Sequence, residues 1–166
     1  YRQINREHIM YQDYLNTPKG FPKPYISITA DDDGITSLNF VSEKEALVNS
    51  NAIIDLCIKQ LKEYFSGKRT LFSVPLAPKG TEFQIRVWQT LQSIPYGEIW
   101  SYKKLALTLG SVNYCRAVGM ANSRNPISLI IPCHRVIGHN GKLVGYTGGL
   151  DIKRWLLHYE KVDIDE

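Results

Sequence analysis

The chain is poor in the features that usually announce a membrane protein, a secreted disulfide scaffold or a metalloprotein. No apolar run approaches the roughly 18 to 20 residues needed to cross a bilayer, and Tyr1 to Asn16 lacks the apolar core of a signal peptide, so no membrane partner is expected. Cysteine is scarce. Cys57, Cys115 and Cys133 cannot all pair with one another and none forms a C-x-x-C, which suits a reducing compartment and predicts no disulfide. The first half has no paired carboxylates, no glycine-rich phosphate loop and no Cys/His cluster, so nothing in it reads as catalytic.

What the chain does have is enough apolar residue for a real core, 43% of 166 positions, arranged as one compact unit or two small lobes. Its charge is uneven. Residues 1–76 hold nine Lys/Arg and nine Asp/Glu, residues 77–166 hold eleven and seven, and between Ser101 and Trp155 eight basic residues face only Asp151. A concentrated basic face of that kind points to a polyanion.

In chain order, Met10 to Leu15, Tyr25 to Ala30 and Ile35 to Val41 read as strands of a small antiparallel sheet, with Asp33-Gly34 as a hairpin signal. Ile54, Ile58, Leu61 and Phe65 recur at helical spacing and Gly67 stops that helix, with Cys57 beside the stripe as a core residue. Pro75, Pro78 and Gly80 mark the passage to the second half. Thr81 and Gln84 are spaced as a capping box for a helix burying Phe83, Val87, Trp88 and Leu91 until Pro95. Ser101 caps a second helix ending at Gly110, and Ser111 a third from Asn113 to about Asn122; two short helices around a glycine turn resemble a helix-turn-helix with Arg116 on its second member. The third helix carries Ala117, Gly119 and Ala121. A glycine inside a helix costs about 1 kcal/mol against alanine, so these small residues imply either a large partner approaching closely or packing against Trp88 or Trp155. Ile152, Trp155, Leu156 and Tyr159 define a last amphipathic helix, with Glu160 at its unfavourable C-terminal end.

The stretch from Ile130 to Gly138 is the chemical focus. Leu129-Ile130-Ile131 reads as a buried strand that Pro132 stops, which sets Cys133 at a corner. His134 and Arg135 follow at once, an electropositive setting that favours thiolate.

Pro132-Cys133-His134-Arg135-Val136 resembles the acceptor-site signature of the O6-alkylguanine-DNA alkyltransferases, also called methylated-DNA–protein-cysteine methyltransferases. Tyr96-Gly97-Glu98, Ser101-Tyr102, Arg116-Ala117-Val118-Gly119, Asn125-Pro126, Gly145-Tyr146-Thr147-Gly148-Gly149 and Trp155-Leu156-Leu157 with Glu160 match the same family in order, covering most of Pro78 to Glu160. The first 75 residues resemble its variable amino-terminal lobe more weakly.

The resemblance implies an α/β (α+β) fold: residues 1–76 as a small antiparallel β-sheet plus helix lobe (ribonuclease H-like), and residues 77–166 as a mostly helical DNA-binding and alkyl-acceptor domain with a winged helix-turn-helix-like motif. It implies irreversible, single-turnover transfer of a methyl or other alkyl group from O6-alkylguanine, with O4-alkylthymine as a second candidate substrate, in double-stranded DNA to Cys133, on a base flipped out of the duplex. Glu160 would orient His134, His134 would take the cysteine proton, and Asn125 would tie the recognition helix to the active-site turn. Tyr102 would lie at the rotated phosphate and donate to the leaving base. Arg116 would fill the gap in the stack, with Ala117, Gly119 and Arg124 on the DNA face, while Val136, Tyr146, Thr147 and Gly148 would line the base pocket. Some members hold a structural zinc in the first lobe, but here only His8 and Cys57 could ligate one, so neither metal nor cofactor is expected. A monomer in the cytoplasm, or the nucleus of a eukaryote, is the expected context. Two other readings are a lesion-binding relative without transfer, in which tryptophan usually replaces the acceptor cysteine, and a hydrolase built on a Cys133–His134 dyad.

Overall fold

Residues 9–138, 141–146 and 148–164 are described by the computed structural model; His8 lies outside them. Three strands, β1 (Tyr11–Asn16), β2 (Tyr25–Ala30) and β3 (Ile35–Val41), form an antiparallel sheet in the order β1-β2-β3. The first begins one residue later than periodicity predicts, at Tyr11, opposite Ala30. In the β2–β3 hairpin the Asp31 carboxylate accepts from the backbone N–H of Asp33 at 2.8 Å and of Gly34 at 3.0 Å, a side chain standing in for a turn carbonyl. Gly34 is required by close approach: a Cβ there would lie 2.8 Å from the Pro75 carbonyl oxygen.

Helix α1 (Ala52–Phe65) covers the sheet. Asn51 caps it by accepting from Ile54 N at 2.9 Å, and Gly67 leaves it at φ +78°. Its buried residues are Ile54, Cys57, Gln60, Leu61 and Tyr64, whereas Ile58 and Phe65 of the expected stripe are half-buried. The inward face is therefore rotated toward Tyr64. Gln60 uses that face to hold the crossing chain, bonding Ser73 and Val74.

The second half comprises α2 (Glu82–Leu91), the two-residue strand β4 (Trp100–Ser101), α3 (Tyr102–Thr108), α4 (Cys115–Ser123), strand β5 (Val136–Ile137) parallel to β4, and α5 (Leu150–Tyr159). Thr81 and Gln84 form the reciprocal capping box, and α2 ends at Leu91, before Pro95. Ser101 caps α3, accepting from Lys104 N at 3.0 Å. Ser111 caps only a short 3-10 turn, Val112–Tyr114, and α4 begins after it without a side-chain cap, later than Asn113.

The halves share one continuous core running from Ile26, Leu38, Leu61 and Tyr64 to Leu91, Val118, Ile131 and Leu156. The edge of β3 extends this union through the backbone: Ile35 N donates to Pro75 O at 2.9 Å, Leu38 N to Pro126 O at 2.9 Å, and Ser128 N to Leu38 O at 3.1 Å. The segment leading to Cys133 is thus held against the amino-terminal sheet.

Candidate active site

The expected strand over Leu129–Ile131 does not form. After one bridge at Ile127 the chain turns through Ser128–Ile130, with Leu129 at φ +73°, and Pro132 at φ −81°, ψ 62° centres a tight turn closed by Cys133 N donating to Ile131 O at 2.8 Å. Asn125 substitutes for the missing ladder. Its Nδ2 donates to Ile131 O at 2.8 Å and to Cys133 Sγ at 3.1 Å, while its Oδ1 accepts from Ile127 N at 3.0 Å. Apolar residues alone predict a strand, but the Asn side chain satisfies the backbone in a turn instead. Cys133, His134 and Arg135 then form a 3-10 turn that runs into β5.

The thiol is not in the state expected from its sequence neighbours. Cys133 is 1% exposed, and burial pushes its pKa up to about 11, against the Asn125 hydrogen bond and the Lys153 charge, which pull it down. His134 and Arg135 do not supply the field because both side chains are engaged elsewhere. Glu160, just past the end of α5, accepts from His134 Nε2 at 2.8 Å and from Arg135 Nε at 2.7 Å and Nη2 at 3.1 Å; Arg135 Nη1 also holds Ile94 O at 2.8 Å. Burial would raise the Glu160 carboxyl, but the hydrogen bonds of His134 and Arg135, the Arg135 charge and, at the low pH where the ring is protonated, the His134 charge outweigh it and hold it at about 2. Burial lowers His134 despite the carboxylate beside it, leaving a neutral ring whose Nδ1 is buried and has no hydrogen-bond partner among the described residues.

Two residues absent from the sequence-based site complete this interior. Lys153 is fully buried on α5 and donates to Val136 O at 2.5 Å and Val144 O at 2.9 Å; burial brings its ammonium down to about 8, with Cys133 opposing. Its spacing from Leu156, Leu157 and Glu160 (i, i+3, i+4, i+7) places it on the inward helix face, a signal available from periodicity. Tyr64 of α1 donates to Glu160 Oε2 at 2.6 Å across 96 residues of sequence. No local pattern pairs those two positions.

Tyr102 opens α3 half-buried; burial raises its hydroxyl, partly offset by Asn122, whose Nδ2 donates to it at 3.4 Å. On α4, Arg116 and Ala117 are exposed, as is Arg124 at the helix end, while Gly119 is half-buried with the Tyr102 ring 3.9 Å from where a Cβ would stand. Ala121 belongs to the core instead, where its carbonyl accepts from Trp88 Nε1 at 2.9 Å. The three small residues therefore serve different purposes. Val136 is fully buried in β5, and the Tyr146 hydroxyl is buried and raised well above its ordinary value, first by desolvation and then by nearby Cys133. At Gly148 a Cβ would lie 3.1 Å from the Tyr146 ring. Thr147 lies outside the described residues. The basic excess also shrinks: Arg135 and Lys153 are buried in the site, which leaves Lys103, Lys104, Arg116, Arg124, Lys142 and Arg154 against Asp151.

Comparison with known proteins gives a consistent result. Residues 10–78 match the ribonuclease-like domain of 6-O-methylguanine DNA methyltransferase, and residues 82–162 match the DNA binding domain of the same family. A methylated-DNA–protein-cysteine methyltransferase of Methanosarcina barkeri is 44% identical over 158 residues, covering 92% of this chain and 98% of that one. The constitutive Bacillus subtilis protein of the same name is 42% identical, with 94% and 98% covered. The crystal structure of Mycobacterium tuberculosis O6-methylguanine methyltransferase superimposes with a TM-score of 0.80 at 38% identity, covering 92% and 93% of the two chains. Mycobacterium tuberculosis OGT in complex with DNA matches with a TM-score of 0.78 at 39% identity, covering 89% and 91%. With full-length relatives at this identity and both halves of the fold accounted for, the chain belongs to the methylated-DNA–protein-cysteine methyltransferase family.

Proposed function

We propose that this protein repairs double-stranded DNA by moving the alkyl group of O6-alkylguanine irreversibly onto the Cys133 sulfur. The observation that carries the reading is a buried thiol held by Asn125 beside a His134–Glu160–Arg135 cluster of matched hydrogen bonds. A thiol at about 11 is ionised in only ~1 part in 10⁴ at pH 7, so a free resting thiolate does not drive the reaction. The proton leaves with the chemistry. Neutral His134 accepts it, and the Glu160 carboxylate stabilises the resulting imidazolium. Sulfur forms a bond to the alkyl carbon, the carbon–O6 bond breaks, and the electron pair remains on guanine. Tyr102, kept protonated by its raised pKa, donates to the departing base. Lys153 favours the thiolate as it forms.

The target atom is inaccessible inside a stacked duplex, so the base must be flipped out at a cost of a few kcal/mol. Arg116 fills the gap that is left, with Ala117, Gly119 and Arg124 on the same DNA-facing side. Val136, Tyr146 and Gly148 line the base pocket. The product thioether has no activated leaving group, so each molecule acts once. Lesion binding without transfer leaves the acceptor thiol without a use, and the named relatives are methyltransferases.

The experiment is a count of lesions. Excess duplex containing O6-methylguanine is incubated with the protein, digested to nucleosides and quantified. Loss of one O6-methylguanine per protein, with guanine gained equally and no loss with Cys133→Ser, is expected. Continued turnover or an unchanged lesion count overturns the proposal.

A further inference from the structure

Among the described residues, Tyr64 is the one residue of the amino-terminal half that touches the charged cluster through a hydrogen bond, and its target is the same oxygen that His134 uses. Glu160 Oε2 accepts from Tyr64 OH at 2.6 Å, His134 Nε2 at 2.8 Å and Arg135 Nη2 at 3.1 Å, leaving Oε1 to Arg135 Nε at 2.7 Å. The Tyr64 ring is fully buried among Phe65, Phe72, Tyr96 and Tyr159, and its carbonyl accepts from Tyr159 OH at 2.5 Å. The hydroxyl therefore reaches the carboxylate from a fixed aromatic seat.

We infer that Tyr64 is a positioning residue: by sharing Glu160 Oε2 with His134, it limits the pull of the carboxylate on the imidazole and keeps the ring neutral and able to accept the Cys133 proton. The inference rests on the proposed role of His134 as that acceptor. A carboxylate that already accepts a short hydrogen bond is a weaker base toward its other partners. Without the hydroxyl, the same carboxylate draws a proton onto His134 more strongly, and a ring protonated beforehand cannot take the one from sulfur. The other titratable groups around the pair are the cations Arg135 and Lys153, the Cys133 thiol, and the hydroxyls of Tyr96, Tyr146 and Tyr159. Each is retained when Tyr64 becomes Phe. The first half of the chain, which otherwise holds nothing that reads as catalytic, would in this way set the proton balance of a site built by the second.

The test is Tyr64→Phe in the full chain, with Tyr159→Phe as comparison because it also removes a bond across the two halves, but not one to Glu160. The His134 ring is titrated by imidazole nitrogen NMR, and methyl transfer from O6-methylguanine duplex is timed across the same pH range. In Tyr64→Phe the His134 midpoint moves to higher pH and the acid limb of the transfer profile moves with it; in Tyr159→Phe neither moves. An unmoved His134 midpoint in Tyr64→Phe, a downward shift, or an equal shift in Tyr159→Phe overturns the inference. Because the NMR titration needs no transfer, its failure is distinguishable from failure of the proposed reaction, which shows as no transfer by the unaltered protein.

Discussion

Replacing Glu160 by Gln keeps the size of the side chain and removes its charge, with four donated hydrogen bonds converging on the two oxygens it alters. Its carboxyl sits at about 2 in the fold, against ~4.3 when unfolded, so this single group contributes about 3 kcal/mol at pH 7. The folded pKa is depressed, so the contribution is fully present above ~4.3 and is lost as pH falls through about 2; near pH 3 roughly half of it should remain. Breaking a buried ion pair by removing one partner costs ~3–5 kcal/mol, in agreement, because Arg135 is left buried and only partly paired. Urea unfolding of both proteins at neutral pH and near pH 3 checks this. The gap should be about 3 kcal/mol at pH 7 and about halved near pH 3. A neutral-pH gap under about 1 kcal/mol, or the same gap at both pH values, would mean that the Glu160 charge does not hold the fold.

Arg116→Ala should slow repair of alkylated duplex far more than reaction with the free alkylated base, since Arg116 is exposed on α4 and its proposed work is flipping; equal losses on both substrates count against that role. Asn125→Ala removes bonds to Ile127 N, Ile131 O and Cys133 Sγ, which predicts ~2–4 kcal/mol lost in urea unfolding and a Cys133 thiol harder to ionise. A loss below ~1 kcal/mol would mean the turn holds its shape without Asn125. Lys153→Met should move the pH dependence of Cys133 alkylation by a small thiol reagent to higher pH, because the lysine charge opposes the rise that burial imposes. An unchanged profile would separate Lys153 from the sulfur.

Features set by short-range rules were legible in the sequence. The capping box at Thr81 and Gln84, the Ser101 start of α3, and the strands at Tyr25–Ala30 and Ile35–Val41 depend on neighbours a few residues away. Sequence and structure part where a distant partner decides the conformation. Leu129-Ile130-Ile131 has strand composition, but Asn125 takes its backbone groups into a turn and β3 claims the chain just before it. The electropositive setting inferred from His134 and Arg135 fails because adjacent residues project differently: Arg135 is consumed by Glu160, and the cation that favours the thiolate comes from Lys153 on α5. The pull of Tyr64 on Glu160 spans 96 residues, beyond any periodicity argument.

The acceptor claim is tested most directly by weighing the intact protein after reaction with excess duplex carrying O6-methylguanine. Replacing the thiol hydrogen by methyl raises the mass by about 14 Da, and one such increment per molecule and no more is expected, placed by peptide mapping on Cys133. Unchanged protein mass, or methyl found on Cys57 or Cys115 instead, would contradict it.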